Sequence, residues 1–420
     1  MPSITQKDLI KFAEVIIKIG INLQPGQRLL VGPPSLNPGT PLEAAPLIRE
    51  ITTQAYQAGA RLVTVLWRDD QLRLARFKHA PRDSFEEYDT WMAEGYRQHV
   101  EAGDAVLTIM ANDPDLFTGQ DPELVALTQK TALIQTKPAR DFISGNAINW
   151  TIASYPAAKW ATKVYPNLPE AEAVDTLWGD ILKICRIDQP DPVAAWHEHI
   201  RQLSARGQYM GDKQYTALKF TGPGTDLTIG LPKGHKWLSA GFESQAGIAY
   251  TANIPTEEIF TLPDRTRADG VVTATKPLIY GGAFIDDFSV SFENGRVSKI
   301  VAKTGEDVLR KMSENDEGAS RLGEVALVPN SSPISQSGLL FYNTLYDENA
   351  SNHIALGQGY RPTIQGGEQM NNEQFEAAGG NNSLIHTDFM IGSGEMDVDG
   401  IHDDGSTEPV MRGGEWAFDA

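Results

Sequence analysis

The sequence predicts an α/β protein: an N-terminal doubly wound, parallel-sheet domain followed by a C-terminal α+β, mixed-sheet domain. Three observations carry this reading. The chain has 420 residues, too long for one ordinary core and suited to two domains of roughly 200. Helical and strand patterns alternate over its first part. In the second part, alternating strands meet at tight glycine turns instead.

The elements follow in order. Leu9, Phe12, Ile16 and Ile19 recur at helical spacing in MPSITQKDLIKFAEVIIKIG, a charged stretch without a small-residue cleavage site. It reads as a helix of the mature protein rather than a signal peptide. A turn at NLQPGQ leads to a short apolar strand, Arg28 to Val31. A helix around Leu42 to Ala58 stops at Gly59 and gives way to RLVTVLW, and the amphipathic run Phe85 to Val100 leads into DAVLTIM. Strands alternating with helices of this length build a parallel sheet with helices on both faces. The Pro- and Asp-rich stretch CRIDQPDPVAAW marks a division near Asp191, giving domains 1–190 and 191–420. His197 and His199, two apart in the helix expected there, cannot face one another and are expected at the surface. Beyond them, ALKFTGPGTDLTIGL is a hairpin around Gly222-Pro223-Gly224-Thr225. A second hairpin carries Phe288, Val290 and Phe292, turns at Asn294-Gly295 and returns from Val297 to Val301, and Val325 to Val328 is a further strand.

Composition excludes several classes. With 41% hydrophobic and 22% charged residues and no apolar run near the roughly 18 residues of a membrane span, the chain reads as soluble and globular, without a membrane partner. A net charge of -19 argues against nucleic-acid partners, since phosphate binding needs clustered Lys and Arg. Cys185 is the single cysteine, which rules out disulfides within the chain and thiolate metal clusters and fits a cytoplasmic setting. The motifs G-x-x-x-x-G-K-[ST], G-x-S-x-G, H-E-x-x-H and C-x-x-C are absent. DVDGIHDDGSTE has its glycine, Gly400, too early for a calcium loop.

What remains is a set of carboxylates and imidazoles in apolar or turn sequence. In SLIHTDFMIGSGEMDVDG, His386 and Asp388 sit among Leu384, Ile385, Phe389, Met390 and Ile391. On a strand they share a face, with apolar residues on both faces around them. An unpaired buried carboxylate there is costly, so an arginine, a hydrogen-bond network or a metal ion must compensate it. NIPTEEIFTLP sets Glu257 and Glu258 ahead of Ile259 and Phe260, and only one of two extended neighbours easily faces a shared site. RLGEVALVP starts a strand with Glu324. LYDENASNHIALGQGY offers Glu348, His353 and Tyr360. A continuous helix would hold Glu348 and His353 about 140° apart. The Asn349 to Asn352 stretch, poor in helix formers, can break it. Singly, each residue has an ordinary structural explanation. Together they are the donors that two divalent ions need, one carboxylate bridging. Such a pair activates water and polarises a carbonyl for hydrolysis.

The stretches NIPTEEIFTLPDRTRADG, RLGEVALV, NASNHIALGQGY, SLIHTDFMIGS and EMDVDGI, with TGPGTDLTIGL and NLQPGQRLLV, stand in an order and spacing that resembles the aminopeptidase T family of metallopeptidases over most of the chain. The resemblance implies an aminopeptidase of leucyl-type or broad specificity. It would work with two divalent ions (zinc, cobalt or manganese) on peptides with a free N-terminus, as a homodimer, with a metal-binding catalytic domain at 191–420. It places Glu258, Glu324, Glu348, His353, His386 and Asp388 at metal-ligand positions and Tyr360 at a site tyrosine. Glu257 is left as a general base or a structural residue. The GPPSLNPGTPLEAAP segment is the more individual part, expected to bear on substrate access or the dimer. Two other readings stand beside this one. A different two-metal hydrolase would act on amides or phosphoesters, although no basic cluster near the motifs would clamp a phosphate. An inactive member would bind metal or peptide without turnover.

Overall fold

A computed structural model describes residues 4–34, 38–280 and 283–420. Ser35 to Asn37 of the GPPSLNPGTPLEAAP segment lie outside the described residues. The chain divides into two units, Met1–His199 with Gly241–Pro255, and Ile200–Ala240 with Thr256–Ala420.

In the first unit, helix α1 (Gln6–Val15) is capped by the Thr5 hydroxyl, which accepts the Asp8 N–H, and buries Leu9 and Phe12. Then come β1 (Arg28–Val31), α2 (Ala45–Gln57), β2 (Leu62–Val65), α3 (Thr90–Glu101), β3 (Ala105–Met110), α4 (Pro122–Ser144) and β4 (Trp150–Ser154). The sheet runs β2-β1-β3-β4 with every pair parallel, as strands alternating with helices require. Phe85 belongs to a separate 3₁₀ turn, Arg82–Glu86, ahead of α3. Helix α5 (Pro192–Lys213), which belongs to this unit as far as His199 and to the second from Ile200, carries His197 and His199. His199 is not at the surface as expected. Three residues from Trp196, it shares that ring's buried face, meets it edge-on and lies 3.1 Å from the Arg186 guanidinium.

The second unit contains β5 (Ala217–Gly222), β6 (Thr225–Gly230), β7 (Ile259–Thr261), β8 (Ala268–Thr273), β9 (Leu278–Tyr280), β10 (Ala283–Glu293), β11 (Arg296–Thr304), β12 (Leu322–Leu327), β13 (His353–Gly357), β14 (His386–Met390), β15 (Asp397–Ile401), β16 (Thr407–Arg412) and β17 (Glu415–Trp416). Among the described residues, nine of these form an antiparallel sheet ordered β9-β10-β8-β6-β5-β15-β16-β17, with β11 on β10. Both expected hairpins, β5–β6 and β10–β11, are in it. A smaller antiparallel sheet, β7-β12-β13-β14, positions the candidate site. Its register pairs Val325 with Ile354 and Ile354 with Phe389. These three, with Leu327 and Leu356, enter the unit's main apolar core.

Candidate metal centre

Alternate residues of a strand face opposite ways, and directly paired residues of antiparallel neighbours face the same way. The face opposite that core therefore presents Glu324 from β12, His353, Ala355 and Gly357 from β13, and His386 and Asp388 from β14. Glu324 pairs with Ala355 and Ala355 with Asp388, so a single methyl separates two carboxylates in one row. Gly357 is needed where it stands: φ is +108°, and a Cβ would lie 2.1 Å from the Ile385 carbonyl oxygen. This lets β14 approach closely enough to set His386 beside the row.

Both imidazoles are turned by backbone carbonyls. His353 Nδ1 lies 3.1 Å from the Ser351 oxygen and His386 Nδ1 2.7 Å from the Gln358 oxygen. A carbonyl only accepts, so each Nδ1 carries a proton, and each ring turns its Nε2 into the site, where it offers a lone pair to a cation once its own proton is displaced. Both Nε2 atoms meet carboxylates. His353 Nε2 is 3.0 Å from Glu258 Oε2 and 3.5 Å from Glu324 Oε1, while His386 Nε2 is 3.7 Å from Glu324 Oε2 and 3.4 Å from Asp388 Oδ1. Glu324 thus addresses the two histidines with different oxygens. Glu258 Oε2, His353 Nε2 and Asp388 Oδ1 are buried without a hydrogen-bond partner. Acceptors facing acceptors repel unless a cation or a proton lies between them. Two triads, Glu258–Glu324–His353 and Glu324–His386–Asp388, each gather three donor atoms within 4.8 Å of one another. This oxygen and nitrogen set fits divalent cations.

The electrostatics express the same excess of negative charge. The Glu324 carboxyl is raised to about 7, by burial first, with His353 and His386 pulling it down and Asp388 and Glu258 adding to the rise. Burial, then Asp388 and Glu258, hold Glu348 well above its ordinary value. Burial alone would lower both imidazoles. Glu258 and Glu324 outweigh it at His353, raising it well above normal, and Asp388 and Glu324 lift His386 to about 10. Asp388 itself stays below its usual value because His386 outweighs the burial that would raise it.

The other candidates flank this cluster. Glu348 opens the short turn Glu348–Ala350, half-buried, in the field of Asp388, Glu258, His353 and Glu324. Tyr360 lies just past β13, its ring 4.9 Å from that of His386 and 36% exposed. Desolvation of its hydroxyl, then Glu324, Asp388, Glu348 and Glu258, push the phenol well above its ordinary pKa. Glu257 is buried, its N–H donates to Asn349 Oδ1, and its charge acts on Arg206. It is not among the charges that dominate Glu324, Glu348 or Tyr360. Sequence reasoning passed over Ala355, for which a small residue within an apolar strand was the available signal. It also passed over the Ser351 and Gln358 carbonyls, which leave no signal in a sequence.

A family model described as thermophilic metalloprotease (M29) matches residues 5–416. The chain belongs to that family. Among its relatives, aminopeptidase AmpS of Bacillus subtilis (strain 168) is 44% identical over 100% of both chains. Aminopeptidase T of Thermus thermophilus is 42% identical over 98% of each. The solved structure of wild-type AmpT from Thermus thermophilus superposes with a TM-score of 0.90 at 41% identity, covering 98% of this chain and all of that one. As a member of the M29 family, the protein is a metal-dependent aminopeptidase whose C-terminal unit gathers a metal-binding constellation. Among the described residues, no helix is long and apolar enough to cross a membrane.

Proposed function

We propose that this enzyme removes the N-terminal residue of peptides with a free α-amine, using two divalent ions in a site with one shared carboxylate. The observation that carries the reading is Glu324, whose two oxygens face two different imidazoles. Glu258, Glu324 and His353 would hold one ion and Glu324, His386 and Asp388 the other. Glu348, under the charge of both Asp388 and Glu258, completes the set.

When bound, the ions polarise the scissile carbonyl and lower the pKa of water for attack. The chain's own groups do the rest. Tyr360, beside His386, donates its hydroxyl to the carbonyl oxygen as charge builds there, and the surrounding carboxylates keep that hydroxyl protonated. A carboxylate takes the proton of the attacking water and passes it to the leaving amine. Glu257 and an oxygen of the cluster are the two carriers, and Glu257→Gln separates them. The acidic field attracts the substrate's α-ammonium, which distinguishes a first residue from an internal one. The homodimer and the cytoplasmic setting belong to the same proposal, supported by the family resemblance and by Cys185, which is buried and is the single cysteine of the sequence.

The test is elemental analysis of protein purified without chelator, paired with Leu-p-nitroanilide turnover before and after metal removal. About two ions per chain are expected, with activity lost on stripping and restored by cobalt or zinc. N-acetylated peptides should be left intact. Turnover that survives complete stripping overturns the proposal.

A further inference from the structure

Four of the six candidate ligands, Glu324, His353, His386 and Asp388, ride on β12, β13 and β14, where the ladder fixes their backbone. Glu258 and Glu348 do not. Glu258 directly precedes β7, and Glu348 opens a one-turn 3₁₀ helix. A ligand off the sheet needs another device to hold it, because metal sites tolerate misplacement of only about 0.5 Å.

Asn349 provides one. It is fully buried beside Glu348. Its Nδ2 donates to the Leu345 carbonyl at 3.0 Å, which ties the side chain to its own turn. Its Oδ1 accepts the Glu257 N–H at 2.7 Å, in the residue next to Glu258 and 92 residues away in sequence. Its carbonyl in turn accepts the Ser332 hydroxyl at 3.1 Å. One amide thereby links the segment that carries Glu348 to the backbone of Glu257, next to Glu258, and uses both of its ends to do so. Alanine reaches neither partner, and a carboxylate keeps only the acceptor.

We infer that Asn349 is a positioning residue that sets Glu258 against Glu348, so that metal affinity depends on a side chain that touches no ion. The inference rests on the metal-site reading above. A matched control exists in the first unit. Asn149 is also fully buried, donates to the Ile21 carbonyl at 2.8 Å and accepts from Gln27 Nε2 at 2.7 Å. Asn349→Ala and Asn149→Ala delete the same kinds of bond and should lower the melting temperature alike.

The experiment measures cobalt uptake by equilibrium dialysis and the visible absorption of the cobalt-loaded full chain, with thermal melts followed by circular dichroism. Asn349→Ala should bind at least one cobalt ion about 10–100-fold more weakly and show an altered spectrum. Asn149→Ala should match wild type in both, and Asn349→Asp, which retains the acceptor, should recover part of the loss. If Asn349→Ala does not fold, Asn349→Ser is read in its place. Wild-type affinity and spectrum in the Asn349 variant overturn the inference, as do equal changes in the Asn149 control. Wild-type protein that takes up no cobalt, or Glu258→Gln with undiminished uptake, overturns the metal-site reading and this inference with it.

Discussion

Each unit buries an aspartate beside a histidine, with opposite surroundings. In the first, Asp104 accepts from Arg28 Nε at 3.0 Å, lies 2.8 Å from Arg28 Nη2 and meets His99 Nδ1 at 2.7 Å. Every charge is answered. In the second, Asp388 Oδ1 has no hydrogen-bond partner, the nearest imidazole nitrogen is 3.4 Å away, and the third group is another carboxylate, Glu324. An Asp–His pair by itself is therefore uninformative. The sign of the third group decides: a guanidinium closes the pair as a structural unit, and a carboxylate leaves a site that only a cation or a proton can balance.

The sharpest way to break this comparison is to neutralise one carboxylate in each unit. Glu324→Gln or Asp388→Asn should reduce metal content and cut kcat at least about 10³-fold, since metal stabilisation worth roughly 4 kcal/mol is lost. Without metal, Glu324→Gln should melt no lower than the stripped wild type, because burial and the neighbouring carboxylates that raise the Glu324 carboxyl disfavour its charge. Full activity in Asp388→Asn would falsify the assignment. A step below this stands Tyr360→Phe. Losing one donor to a developing oxyanion should lower kcat about 10²–10³-fold while bound metal, measured by elemental analysis, stays unchanged. A drop in metal content would recast Tyr360 as part of the ion-holding set.

Asp104→Asn is the counterpart in the first unit. Breaking a buried pair costs about 3–5 kcal/mol when the abandoned partner stays buried. Arg28 is 38% exposed on its side chain and can turn to water, so about 2–3 kcal/mol is expected here. Denaturant unfolding should show that loss with metal content intact. Lost metal with unchanged stability would erase the distinction between the two pairs.

What was legible in the sequence was the misfit. His386 and Asp388 on one face of a strand with apolar residues around them on both faces, and Glu324 at the start of an apolar strand, are polar groups in apolar sequence, and that pattern is local; His353 stood out only as an imidazole near Glu348. Strand alternation with helices in the first half likewise foretold the parallel sheet. Which segments lie together was not legible, because register across β12, β13 and β14 is set by ladder bonds that any backbone can make. The order and spacing of motifs supplied by family resemblance stood in for that missing information. His199 shows the same limit on the bland side: a polar side chain was placed in water because its helix position relative to Trp196 was not weighed.

The smallest expected effect separates the two faces of a single strand. Ala355 and Ile354 are adjacent on β13 and both fully buried. Ala355 stands in the row between Glu324 and Asp388, and Ile354 points into the core between Val325 and Phe389. Ala355→Val adds two methyl groups where ions would sit, at a strand position that favours a β-branched residue. Its fold should hold while cobalt affinity falls about tenfold, the lower end of what disturbing a ligand's surroundings costs. Ile354→Val removes one methylene from the core and should cost about 0.5–1.5 kcal/mol in denaturant unfolding, with cobalt binding unchanged. If both variants lose stability and neither loses metal, then the face carrying Glu324 and Asp388 is packed interior like the other, and the space assigned to the ions does not exist.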